Sequence, residues 1–269
     1  MDNQPAQHKE VWGSGLAYEP YVGRWSRVVA REFLHWLNVP AHSKWLDVGC
    51  GTGALSQTIL EVAAPDTVLG IERAEEYLAF ARKQIQDGRM QFERGDAQAL
   101  PVDPSAYDAV VSGLVLNFIP EPQQAVAEMA RAVRPGGVIA AYVWDYAGKM
   151  QLMRHFWNAA VALYPAAYTL DEGRRFPLCQ PAPLRQLFQS AGLKEVDVRA
   201  IDIATDFRDF AEYWSPFLGG QGPAPSYTMT LSEEQRAALR ERIQASLPFA
   251  LDGSIPLVAR AWAVRGIRR

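Results

Sequence analysis

Two rhythms of apolar and polar residues alternate along this chain. Short apolar-rich stretches at 44–48, 67–72, 107–112 and 138–144 have the length of buried strands, and the alternating 90–94 reads as a strand beside them. Between them, over 54–62, 73–83 and 123–133, apolar positions recur at the three- and four-residue spacing of a helix. Strand and helix by turns predict a mostly parallel sheet covered by helices. Upstream, 26–37 sets Val28, Val29, Phe33, Leu34, Trp36 and Leu37 on one helical face, with Ser26 as its N-cap. Residues up to about 15 read as a loose arm. After 144 the pattern is less regular. Helices are expected at 150–163, 182–191, 207–214 and 232–247, and strands at 193–203 and 254–264. Stretches 164–181 and 217–225 read as loops, and Arg134-Pro135-Gly136-Gly137 as a helix-stopping turn. Ser232 with Gln235 three residues on is a capping-box signature.

The first strand ends at Asp47, and Gly49, Gly51 and Gly53 follow at alternate positions before a helix. Glycine there permits positive φ and lets the backbone approach a ligand. The dinucleotide fingerprint fits poorly, because Ser56 or Thr52 stands where its third glycine belongs. The Gly-Lys-Ser/Thr of a phosphate loop is absent. Glu72 closes the second strand about 20 residues beyond the glycines, where a ribose-binding acid is expected. Gly95-Asp96-Ala97, with Leu100-Pro101 beyond, follows the third strand.

Taken in order, the acid-x-Gly-x-Gly-x-Gly loop, Glu72, Gly95-Asp96-Ala97 and Arg134-Pro135-Gly136-Gly137 resemble the class I S-adenosylmethionine-dependent methyltransferases, small-molecule type. The resemblance covers 44–144. It implies an α/β fold: a Rossmann-like doubly wound seven-stranded sheet with an inserted helical cap and an N-terminal helical arm. It implies a single domain over 1–269, with arm and first helix at 1–43 and the cofactor-binding core at 44–145. A substrate cap would occupy 146–181 and 206–253, and the remaining strands and helix 182–205 and 254–269. S-adenosylmethionine would be the cofactor, held by Asp47, Gly49, Cys50, Gly51 and Gly53, with Glu72 and Arg73 at the ribose. Asp96 and Ala97 would take the adenine, the Ser112 carbonyl the methionine ammonium, and Leu114 the adenine or sulfur. The segment 18–26 would close over the cofactor, with Tyr21 contributing and Arg24 reaching the methionine carboxylate, for which a guanidinium fork is well shaped. The competing reading of Arg24 is a surface cation. Asn117-Phe118-Ile119-Pro120 superficially resembles the Asn-Pro-Pro-Tyr motif of amino-methylating nucleic-acid enzymes, but both central prolines are missing and it reads as a helix-entry loop.

Methyl transfer to a small-molecule acceptor, at O, N or C, is the expected activity. Methylation of protein or nucleic acid, or cofactor binding without catalysis, are the alternatives. The net charge of −3 and the absence of a Lys/Arg run count against a nucleic-acid or anionic-membrane partner. The longest apolar runs are of strand length, and 1–10 is polar with no signal-peptide core. With only two cysteines, Cys50 and Cys179, no disulfide is expected and a cytoplasmic location is. No zinc spacing and no nucleophile triad is visible. Trp144, Asp145, Tyr146, His155, Trp157, Tyr213 and Trp214 are candidates for the acceptor pocket. His155 is the default base, and a packing histidine beside Phe156 and Trp157 is its competing reading.

Overall fold

The computed structural model describes residues 23–219 and 222–269. Tyr21 and most of the 18–26 segment lie outside them. Helix α1 (Arg24–Leu37) leads into β1 (Lys44–Val48), α2 (Ala54–Val62), β2 (Thr67–Glu72), α3 (Glu75–Gln84) and β3 (Met90–Arg94). Then come β4 (Tyr107–Gly113), α4 (Pro122–Ala132) and β5 (Val133–Trp144). The rest comprises α5 (Gln151–Leu163), α6 (Glu172–Arg175), α7 (Pro181–Ser190), β6 (Lys194–Ala204), α8 (Phe210–Trp214), α9 (Pro223–Thr230), α10 (Glu233–Gln244) and β7 (Val258–Ile267).

The seven strands lie in the order β3-β2-β1-β4-β5-β7-β6. Strands β1 to β5 pair in parallel, and β7 runs antiparallel between β5 and β6. The order reverses between β1 and β4, so right-handed crossovers put helices on both faces and open a crevice at the carboxyl ends of these strands. The strand cores Leu46, Val110, Val111, Ile139 and Ala140 are fully buried, as near-continuous apolar runs in a parallel sheet must be. Helix α1 lies against α2, β6 and β7, and its Phe33 ring meets Tyr142 of β5 at 4.7 Å.

Three local expectations change. Helix α1 already runs from Arg24, so Ser26 is no N-cap but a residue of the first turn, 3% exposed. The helix simply continues upstream of the side chain that could have capped it. Strand β5 passes through the Arg-Pro-Gly-Gly turn: Tyr107 pairs with Val133 and Ala109 with Val138, so 134–137 bulge out, with Gly136 at φ +76°. The stretches read as loops hold α6 and α9, the latter started by Pro223 at a position where the missing N–H costs nothing.

The cap, built from α5, α6, α8, α9 and α10, has an aromatic core of its own. Phe156 stacks on Phe217 at 4.6 Å and meets Trp157 edge-on at 5.1 Å. Tyr213 is fully buried and its hydroxyl donates to the Leu152 carbonyl at 2.8 Å.

Candidate active site

A cavity of about 530 Å³ opens at the carboxyl ends of β1, β2 and β4. Its floor is the β1–α2 loop. Gly49, Gly51 and Gly53 have φ of +74°, +53° and +88°, which side-chain-bearing residues rarely adopt. A Cβ on Gly49 would stand 2.6 Å from Val115 Cγ1, and one on Gly53 2.6 Å from Ile85 Cδ1. At Gly51 a Cβ would meet nothing within 4 Å. The outer glycines therefore let neighbouring elements close in, while the middle one keeps the backbone bare toward the cavity. The Gly49 and Cys50 amides donate to the Ile71 carbonyl at 2.8 and 3.0 Å, fixing the loop beside β2.

Asp47 begins the loop and is fully buried. One carboxylate oxygen, Oδ2, accepts from Ser56 Oγ at 2.6 Å, while Oδ1 has no partner. Burial raises its pKa from the ordinary 3.8 to about 7; the Ser56 bond opposes that shift and the Glu72 charge adds to it. An orphaned acceptor of this kind is costly unless something polar meets it. Glu72 works differently. Its Oε2 accepts from the Gly51 amide at 3.1 Å, and its Oε1 from the Arg73 and Ala74 amides at 2.8 and 2.9 Å. A carboxylate has about four acceptor sites, so this one pins the glycine loop to the start of α3 and still has capacity for a ligand hydroxyl.

Asp96 follows β3 in a tight turn, its Oδ1 accepting from the Gln98 amide at 2.9 Å. Gln98 in turn joins this wall to the next: its Oε1 accepts from the Glu121 amide, and its carbonyl from Gln124 Nε2, both at 2.9 Å. At the end of β4, Leu114 has φ +62° and its amide donates to the Tyr142 carbonyl at 2.8 Å. A left-handed leucine is strained, and here the strain falls on a cavity wall.

The structure gathers Asp47, Gly49, Cys50, Gly51, Glu72 and Arg73 around one cavity with Asp96, Ala97 and Leu114. Four expected residues stand elsewhere. Gly53 serves α2 entry and contact with α3. Ser112 is fully buried within β4, and Gly113 and Leu114 form the wall beyond it. Arg24 turns to the cap: its Nη1 is 2.6 Å from Glu212 Oε1, and its guanidinium lies 4.4 Å over the Trp25 ring and 4.8 Å over Phe207. A carboxylate and two π faces hold it more firmly than open solvent would. His155 does not border the cavity; its Nδ1 is 3.3 Å from Ser246 Oγ, and burial lowers its pKa.

Among the pocket candidates, Trp144 and Tyr146 do line the cavity. Asp145 instead accepts the Gly148 and Lys149 amides, both at 3.0 Å. Trp157 donates to Glu172 at 2.7 Å, and with Tyr213 and Trp214 belongs to the cap core. Ser26, the end of the 18–26 segment expected to cover the cofactor, lines the cavity, whereas sequence reasoning missed Tyr77, Gln98, Phe118 and Tyr142 as cavity walls. Only Gln98 had a sequence signal, as a neighbour of Asp96.

The sheet order, the bare glycine loop and the acidic side chains at three successive strand ends define a class I S-adenosylmethionine-binding architecture. The profile of a family described as "Methyltransferase domain" matches residues 46–141. The ubiquinone biosynthesis O-methyltransferase of Burkholderia thailandensis is 30% identical over 174 residues, 62% of this chain and 73% of that protein. The demethylmenaquinone methyltransferase of Shouchella clausii is 32% identical over 182 residues, 61% of this chain and 76% of that protein. In fold, the chain resembles a Haemonchus contortus phosphoethanolamine N-methyltransferase solved with S-adenosyl-L-methionine, at TM-score 0.58 and 14% identity, covering 94% of this chain and 56% of that one. It likewise resembles the cyclase SpnF, at TM-score 0.52 and 17% identity, covering 97% and 85%. The chain belongs to the class I S-adenosylmethionine-dependent methyltransferases and is an enzyme of that family.

S-adenosylmethionine is its cofactor, and the cavity fits it. The orphaned Asp47 oxygen offers an acceptor to a cationic ligand, the bare Gly51 backbone admits close approach, and Glu72 retains acceptor capacity. Bound there, the cofactor supplies an electrophilic methyl group on sulfonium. The chain's own tasks are then to hold the acceptor in line and to keep water out.

Proposed function

We propose that this enzyme methylates a small-molecule acceptor that is planar and largely apolar. The observation that carries this reading is the polarity gradient of the cavity. Asp47, Glu72 and Asp96 line one part of the cavity with the glycine loop, whereas Tyr142, Trp144, Tyr146, Phe118 and Ile119 line another. An apolar, aromatic wall beside a polar cradle suits a flat ring more than a peptide or a nucleic acid backbone. The relatives named for ubiquinone biosynthesis and demethylmenaquinone point to the same class of acceptor. The net charge of −3 supports the reading against nucleic acid. Among the described residues, no helix is long and apolar enough to cross a membrane.

A bound cofactor would supply the methyl group to the acceptor's lone pair and keep the sulfur–methyl electron pair, and a hydroxyl acceptor would release its proton to water. An acceptor acidic enough to ionise in water needs no base from the protein. We assign Asp47, Glu72, Asp96, Ala97 and the glycine loop to the cofactor, and the aromatic wall to the acceptor. The test is release of S-adenosylhomocysteine from purified protein with catechols, hydroquinones and naphthohydroquinones, with mass spectrometry of the product. Turnover with a planar hydroxylated ring supports the reading. Turnover confined to protein or RNA would overturn it.

A further inference from the structure

The cap packs one aromatic side chain against two rings of the cavity wall. Phe176 follows α6, and its ring lies 5.0 Å from that of Phe118, at 76°, and 5.6 Å from that of Tyr146, at 45°. Both of these line the cavity, and Phe118 is 36% exposed, so the three rings meet where the wall reaches solvent. Phe118 belongs to the short turn after β4 and Tyr146 to the segment after β5, so the cluster joins the core to the cap. Its geometry is fixed from behind. Arg154 of α5 donates to the Tyr146 carbonyl at 2.9 Å and grips both oxygens of Asp171 at 2.8 Å. Asp171 in turn caps α6 through the Gly173 amide at 2.9 Å. One guanidinium thus sets the positions of Tyr146 and of the turn that delivers Phe176.

The charge around the cluster is also informative. The Arg175 guanidinium lies 5.3 Å over the Phe176 ring, so that ring already holds a cation. A second cation would meet like charge, whereas a neutral or anionic ring would not.

We infer that Phe176, with Phe118 and Tyr146, selects the methyl acceptor at the mouth of the cavity, taking a planar ring that is neutral or anionic and rejecting cationic amines. Arg154 acts as a positioning residue for this bracket. The inference rests on the small-molecule reading above and narrows it.

The test uses the full chain saturated with S-adenosylhomocysteine, and follows quenching of tryptophan fluorescence by three probes: menadione, 1,4-dihydroxy-2-naphthoate and phenyltrimethylammonium. Wild type should bind the neutral and anionic rings more tightly than the cation. F176A should weaken both rings by about tenfold, with affinity for S-adenosylhomocysteine held within about twofold. F176L keeps the apolar bulk, so it guards against misfolding and should fall between. R175Q should weaken the naphthoate several-fold and leave menadione unchanged. If wild type binds the rings but F176A and F176L bind them equally well, the bracket is wrong while the small-molecule reading stands. Preference of wild type for phenyltrimethylammonium would also overturn the inference. If wild type binds none of the rings, the planar-acceptor reading falls and takes the bracket with it.

Discussion

The cofactor half and the cap hold their acidic side chains differently. In the cofactor half, carboxylates take backbone amides: Glu72 holds those of Gly51, Arg73 and Ala74, and Asp96 that of Gln98. Asp47 keeps one oxygen without a partner. In the cap, buried carboxylates also meet side chains: Asp171 takes Arg154 besides the Gly173 amide, and Glu172 takes Trp157. The first arrangement leaves acceptor capacity open to a ligand, while the second closes it. A site for a cationic, hydroxyl-rich cofactor needs the former, and a helical cap that keeps a fixed shape needs the latter.

The largest expected effect breaks the closed pair. Arg154 and Asp171 side chains are only 13% and 9% exposed, so Arg154→Ala strands a buried carboxylate and should cost about 3–5 kcal/mol of stability in denaturant titration. A loss below about 1 kcal/mol would place the pair with ordinary surface bridges.

Next comes the open oxygen. Asp47 has its pKa raised from 3.8 to about 7 by burial, so between those values the folded state holds a proton the unfolded state has lost. Stability should therefore fall as pH rises through this window, with a slope approaching ~1.4 kcal/mol per pH unit. Asp47→Asn should remove that slope. Affinity for a cationic ligand should rise as pH passes the folded pKa of about 7 and the carboxylate ionises, and calorimetry at pH 5.5 and 7.5 would show whether it does.

A smaller effect tests the glycine loop. Gly49→Ala places a Cβ 2.6 Å from Val115 at φ +74° and should cost about 1–3 kcal/mol. Gly51→Ala, with nothing within 4 Å, should cost less stability and more cofactor affinity. The smallest effect belongs to Arg24. Its bridge to Glu212 is about 30% exposed on each side, so Arg24→Ala should change stability by ~0–1 kcal/mol. Cofactor affinity should not move, because Glu212 and the two rings already hold the guanidinium away from the cavity.

The same contrast explains what could be read from the chain. The loop from Asp47 to Gly53, Glu72 and Asp96 were legible because a strand, a tight turn and a helix impose their spacing locally. The Ser232–Gln235 capping box was legible for the same reason, and both of its hydrogen bonds are present. Strands β1, β2 and β3 fall where their residue patterns predicted. The pairing of Arg24 with Glu212 was not legible because the two stand 188 residues apart, and no local pattern carries that distance. Phe176 lay in a stretch read as loop, and Tyr142 in an apolar strand where nothing marks the ring that faces the cavity. Both were placed by tertiary packing between halves of the chain that meet only after folding.

Glu72 and the glycine loop are assigned to the cofactor, and calorimetric titration of wild type and Glu72→Ala with S-adenosylhomocysteine is the sharpest check on that assignment. Wild type should bind at a single site and give no heat with NAD. The variant should lose about 1.5–3 kcal/mol, roughly ten- to a hundredfold in affinity, with Glu72→Gln between the two. Equal affinity in wild type and Glu72→Ala, or no binding by wild type at all, would contradict the assignment.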